Sequence, residues 1–209
     1  ADFVRKYISI IILMMKDIKS IAVYCASSNK VRASFVEAAE TLGAIFASHG
    51  IRLVYGDGGI GLMAAVAKGV LDAGGEAIGV IPRFMVEQGW NNPRSTETIV
   101  TETMHERKAT ICNISDAMVA LPGGIGTFEE LLECLTWKQL ELHNNHDVIL
   151  NTDGYYDRLL SCIDLMVEEQ MMRPIHKNMY VVVSTPEEVL PAILGGPEWD
   201  PATRRLAAI

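Results

Sequence analysis

Cysteine is scarce in this chain and unpaired in its spacing. Cys25, Cys112, Cys134 and Cys162 stand far apart with no CxxC pair, which excludes the patterns of a disulfide-stapled domain, a dithiol redox motif or a zinc site. Three of them fall in segments that read as buried strand or helix, as free core thiols in a reducing cytoplasm would. Histidine makes no cluster with them, and no metal is expected. Long hydrophobic runs are lacking too. The apolar stretch 7–15, preceded by Arg5 and Lys6, is too short to span a bilayer. Lys16-Asp17-Ile18-Lys19 follows it where a secretory signal would carry small residues. Residues 1–18 therefore read as an N-terminal extension, whose apolar run has the further option of docking on a partner subunit, and no membrane contact is expected. Positive charge is also in deficit: 18 Lys and Arg face 26 Asp and Glu, a net −8. Such a surface repels polyanions, so nucleic acid is not an expected partner, whereas one small anion in a local pocket is compatible with it.

What is present is a regular alternation. At 209 residues and 49% hydrophobic, the chain has the size and composition of one domain with a full core. Short apolar runs at 21–25, 51–55, 77–81, 117–121, 148–151 and 180–183 read as buried strands. Stretches of helical period lie between them, at 31–49, 61–73, 104–114, 128–143, 155–169 and 186–194. Continuous apolar strands separated by amphipathic helices predict an α/β fold, a Rossmann-like three-layer sandwich with a central parallel sheet, as a single domain over 19–195. The tail 196–209, which follows Gly195 and opens with Gly196-Pro197, reads as turn-like and peripheral. Ligands of such sheets bind beyond the carboxyl ends of the strands.

Two glycine-rich turns stand at such ends. Gly56-Asp57-Gly58-Gly59-Ile60-Gly61 follows the second strand and opens a helix, where backbone N–H groups and the helix dipole would favour an anion. The string satisfies GxGxxG, but it follows the second strand and no acidic residue ends the next one. Phosphate binding, a merely tight turn and a dinucleotide site all stay open on spacing alone. Asp57 would repel a phosphate if it faced one. The second turn, Pro122-Gly123-Gly124-Ile125-Gly126-Thr127, leads into Phe128-Glu129-Glu130. Thr127-x-x-Glu130 has the form of a capping box, so Glu130 has a structural reading beside a functional one. Thr103-Met104-His105-Glu106 is another capping box, and it places Arg107 and Lys108 in a first helical turn. There they oppose the macrodipole unless an anion is near; a solvated charge pair is the alternative.

Taken together these residues resemble the Lonely guy family, the cytokinin riboside 5′-monophosphate phosphoribohydrolases, whose members were often mislabelled lysine decarboxylases. The hallmark PGGxGTxxE is met by Pro122, Gly123, Gly124, Gly126, Thr127 and Glu130. Residues 23–28, 55–63 and 104–108, and then Trp137, Gln139, Leu140 and His143, look like family segments in the right order. The likeness spans about residues 19–190. Asp57, Ala64, Glu141 and the pair Asn145-His146 depart from it. The resemblance implies hydrolysis of the N-glycosidic bond of AMP or an N6-modified AMP, with a small-molecule nucleotide as partner and no cofactor. It assigns catalysis to Glu130 with Arg107. Phosphate binding would fall to Gly58, Gly59, Gly123, Gly124, Gly126, Thr127 and Ser27, joined by Ser28, with Lys108 and Glu129 as further candidates. Family members assemble as dimers or larger oligomers, and Leu131, Leu132, Leu135 and Trp137 carry apolar surface that a homodimer would use or a core would absorb. The rival readings are a nucleotide sensor without catalysis and an NAD-dependent oxidoreductase.

Overall fold

A computed structural model describes residues 18–197, 199 and 200. Seven strands form its sheet: β1 Ser20–Tyr24, β2 Arg52–Tyr55, β3 Ala77–Pro82, β4 Glu97–Thr101, β5 Ala117–Ala120, β6 His146–Leu150 and β7 Tyr180–Val183. Their order is β4-β3-β2-β1-β5-β6-β7, and every neighbouring pair is parallel. The helices between them are α1 Ala33–Ser48, α2 Gly61–Asp72, α3 Arg83–Glu87, α4 Met104–Asn113, α5 Ile125–Gln139, α6 Asp157–Glu168 and α7 Val189–Gly195. This is the expected α/β sandwich.

Alternate strand residues point to opposite faces, and both faces are covered. Ile21, Val23, Leu53, Tyr55, Val119 and Leu121 join Phe46 and Leu42 of α1, Leu62 and Val66 of α2 and Ile193 of α7 in one core. On the other face Ala22, Tyr24, Val54, Val80 and Met118 meet Ile111 and Cys112 of α4 and Cys134 of α5. Burying one such large apolar side chain stabilises by about 1.5–3 kcal/mol, which is why these short strands need no polar outer face.

The expected six strands become seven. β4 escapes the apolar-run reading because it is an edge: Glu97, Thr98 and Val100 are exposed, and only Thr101 is buried. The five-residue α3 is likewise too short to show a period. α5 starts three residues earlier than expected and stops at Gln139, for reasons given below. Ile18, assigned to the extension, packs in the main core. Trp199, assigned to the tail, is buried against a third cluster that includes Leu131, Leu135, Tyr156 and Met179. The rest of the expected extension, residues 1–17, and most of the expected tail lie outside the described residues.

Chain direction decides where a ligand can enter. β1 is followed by β2, β3 and β4 on one side, and β5, β6 and β7 lie on the other. The crevice between the ends of β1 and β5 is therefore the topological switch point of the sheet.

Candidate active site

Two loops meet in that crevice. The Ala26 N–H donates to the Pro122 carbonyl at 3.1 Å, closing the end of β1 against the end of β5. α5 begins immediately beyond, with Gly124 as its N-cap in extended backbone and the first helical bond from Phe128 N–H to Gly124 O at 3.0 Å. The N–H groups of Ile125, Gly126 and Thr127 have no acceptor among the described residues. Thr127 is thus inside the first turn and is not its cap. Its hydroxyl lies over Gly123, where a Cβ would stand 2.1 Å from Oγ1. This frame also removes the capping-box reading of Glu130, whose carboxylate is aimed elsewhere.

The first glycine turn is built differently. The Gly61 N–H donates to Asn29 Oδ1 at 2.8 Å, the N–H groups of Leu62 and Met63 converge on the Ala26 carbonyl, and the Gly59 N–H donates to the Trp90 carbonyl at 3.3 Å. The N–H groups of Gly59 and of the first turn of α2 are therefore engaged by the protein itself, whereas the Gly58 N–H has no acceptor among the described residues. Of the two helix ends only that of α5 presents free N–H groups to the crevice. Asp57, with φ of 57°, turns its carboxylate away from the crevice and over Gly79. It accepts hydrogen bonds from Ser95 Oγ at 2.5 Å and Thr98 Oγ1 at 3.1 Å. Burial raises its pKa above the ordinary value, partly offset by these hydroxyls. The feared clash with a phosphate does not arise.

Arg107 and Glu130 form the floor. Thr103 caps α4 by accepting the Glu106 N–H at 3.1 Å, and Glu106 reaches back to the Glu102 N–H. That first turn aims Arg107 under the crevice. Its Nε donates to Val80 O at 3.0 Å, Nη2 to Gly56 O at 3.3 Å and Nη1 to Glu130 Oε1 at 3.3 Å. A Cβ at Gly56 would fall 2.0 Å from Nη2, so glycine there is a condition of the arrangement. Only about a tenth of either side chain is exposed. Burial pushes the Glu130 carboxyl up to about 7, with Glu129 and Glu133 adding to the rise and Arg107 and Lys108 opposing it.

Above that floor lies a cavity of about 620 Å³. The structure brings Ser27, Gly58, Gly124, Gly126, Thr127, Glu129, Glu130 and Arg107 to its walls, and leaves Gly59, Gly123 and Lys108 outside them. Ser28, also outside, accepts the Lys30 N–H in a local turn. Lys108 is not a solvated cation: it is buried, and its Nζ donates to Glu129 at 2.5 Å and Glu133 at 2.9 Å. Burial alone would depress its pKa, but these two carboxylates hold it above the ordinary value. The sequence reading did not name the apolar wall, formed by Met63, Ile81, Met85, Trp90 and Met104. The signal available was position alone, since Met85 and Trp90 follow the carboxyl end of β3. Of the four residues offered for a dimer face, Leu131 and Leu135 are buried and Trp137 packs on the core, leaving Leu132 exposed.

Comparison with known proteins adds the following. Residues 63–193 match the family described as "Possible lysine decarboxylase". The chain is 41% identical over 189 residues to cytokinin riboside 5′-monophosphate phosphoribohydrolase LOG3 of Arabidopsis thaliana, covering 90% of this chain and 86% of that protein. It is 44% identical over 171 residues to the probable enzyme LOG6 of the same plant, covering 82% and 85% respectively. With the probable enzyme LOGL6 of Oryza sativa subsp. japonica it shares 41% over 178 residues, covering 85% of this chain and 71% of that one. Among solved structures, the molybdenum cofactor carrier protein of Chlamydomonas reinhardtii superposes with a TM-score of 0.65 at 23% identity, over 84% of this chain and 96% of that one. The molybdenum cofactor binding protein of Rippkaea orientalis gives 0.66 at 22%, over 85% and 96%. These two likenesses establish the fold.

Proposed function

The chain belongs to the cytokinin riboside 5′-monophosphate phosphoribohydrolases, the Lonely guy family, and from that premise we propose that it hydrolyses the N-glycosidic bond of a purine nucleoside 5′-monophosphate to free base and ribose 5-phosphate. The observation that carries the reading is the buried Glu130–Arg107 pair beneath a cavity whose rim holds the three free N–H groups of α5. Those N–H groups and the helix dipole suit a phosphate dianion, with the Thr127 and Ser27 hydroxyls beside it. Gly59 and Gly123 act in this scheme through the shape of their loops. A fixed phosphate sets the position of the sugar, so remote binding energy orients C1′ for attack.

As the bond from C1′ to the base nitrogen breaks, positive charge grows on the sugar. The Glu130 carboxylate faces that charge and takes a proton from the attacking water. The hydroxyl goes to C1′ and the proton taken up by Glu130 passes on to the departing base nitrogen, so one water is consumed and the carboxylate is restored. Arg107, held by Val80 O and Gly56 O, fixes the carboxylate and keeps it ionisable near neutrality. Lys108 bridges Glu129 and Glu133 on α5 and so sets the charge around Glu130 without touching substrate. AMP and N6-modified AMP are the substrates of this reading. A cytoplasmic homodimer belongs to it too, with exposed Leu132, Leu140 and Leu142 as its apolar face.

Glu130→Gln should lower turnover by about 10²–10⁴-fold, the range for a lost general acid or base, and still bind AMP in a thermal-shift titration. Wild-type turnover in that variant would remove the role given to Glu130.

A further inference from the structure

Trp90 is an exposed aromatic residue on a segment that is otherwise tied down. Its N–H donates to Met85 O at 3.1 Å and its carbonyl accepts the Gly59 N–H. Asn91 bridges Gly58 in antiparallel fashion, and the Asn92 N–H donates to Asp57 O at 2.7 Å. Farther out, Arg83 forks onto Glu102 and Arg94 pairs with Asp72. Three backbone hydrogen bonds hold the segment, yet Trp90 is 56% exposed while lining the cavity. The indole makes no hydrogen bond or ring contact among the described residues. With its backbone tied and its ring lining the cavity, the indole is available to whatever occupies that cavity.

Sheet order shows to what. The free N–H groups of α5 follow β5, Arg107 reaches β2 and β3 from below, and Met85 and Trp90 follow β3. From β5 to β3 is three strand spacings, about 14 Å. A ligand anchored by its phosphate on α5, with its sugar over Glu130 and Arg107, carries its remaining part to the end lined by Met85, Trp90 and Met104. We infer that the Trp90 indole is the face on which the nucleobase stacks, and that Trp90 is therefore the residue that distinguishes an intact nucleotide from bare ribose phosphate at this site. The thioethers of Met85 and Met104 suit the edge of such a stack. Asp57, through Ser95 and the backbone of Asn92, is the positioning residue of this segment.

The inference rests on the nucleotide reading, and binding separates the two. Dissociation constants for AMP and for ribose 5-phosphate are measured by calorimetry in the Glu130→Gln background, where AMP persists, with and without Trp90→Ala or Trp90→Phe. Trp90→Ala should weaken AMP by about ten- to a hundred-fold, as loss of one base–aromatic stack does. Ribose 5-phosphate should stay within about twofold, and Trp90→Phe should recover most of the AMP affinity. Equal losses for both ligands, or no loss of AMP, would overturn it. So would a smaller oligomer in light scattering with unchanged AMP affinity, which would give the ring to a subunit interface. Failure of wild-type protein to release base from bound AMP would count against the hydrolase reading alone.

Discussion

Glu130 lies among two cations and two other carboxylates, and burial outweighs them all in setting its proton affinity. Its pKa is raised from 4.5 to about 7, so the fold favours the neutral acid. That contribution to stability is fully present below pH 4.5 and is lost as pH rises through 7. The ligand-free wild type should therefore lose melting temperature relative to Glu130→Gln progressively between about pH 4.5 and pH 7 and level off above that. If the carboxylate is the working form, kcat rises as pH passes through about 7. A melting-temperature difference that stays flat across this range would refute the raised pKa. Asp57 shows the opposite lesson at the same scale: it looked hostile to an anion, but its side chain belongs to the Ser95–Thr98 pocket behind the loop.

At the scale of elements, both ends of α5 differ from their sequence reading, and each for a local reason. Thr127-x-x-Glu130 has the letters of a capping box, yet Gly124 already supplies the extended cap, and a glycine cap has no side chain to announce itself. At the other end Leu140 is the C-cap. The Glu141 N–H donates to Lys138 O at 3.0 Å and the Leu142 N–H to Trp137 O at 2.9 Å. This is a Schellman closure with a glutamate at the left-handed position, φ 60°. A non-glycine residue there is strained, so Glu141→Gly should raise stability by about 0.5–1 kcal/mol, or about 1–4 °C in melting temperature. Glu141→Ala should give no such gain. A lower melting temperature for the glycine variant would show that the glutamate side chain offsets its own strain. The strands read from apolar runs, by contrast, were legible because their residues are almost all apolar, although β7, expected to be buried, is the other edge strand and buries only Val183. β4 and α3 were not, since an edge strand with exposed Glu97 and Thr98 and a five-residue helix carry no period to read.

Across the whole molecule, the site is a consequence of topology. The sheet reverses between β1 and β5, and there Ser27 meets the start of α5 while α4 sends Arg107 beneath. Glycine turns and a cap drew attention to Glu130 and Arg107 in the sequence, but their proposed roles came from the family resemblance, since on the residues alone a capping box and a solvated charge pair stayed open. Which helix end had free donors could not be read there, since that depends on Asn29 and Ala26 engaging the first turn of α2 from a distance. The apolar wall was hidden for a similar reason, as Met85 and Trp90 resemble ordinary loop and core residues until β3 and α5 are placed. The central claim is that this arrangement cleaves a phosphorylated nucleoside. Its most direct test is chromatographic: purified protein with AMP, isopentenyladenosine monophosphate and adenosine, following free base. Release from a monophosphate with little or none from adenosine is the predicted result. Adenosine cleaved as fast as AMP would contradict the phosphate seat on α5, and no release from any of the three would contradict the hydrolase itself.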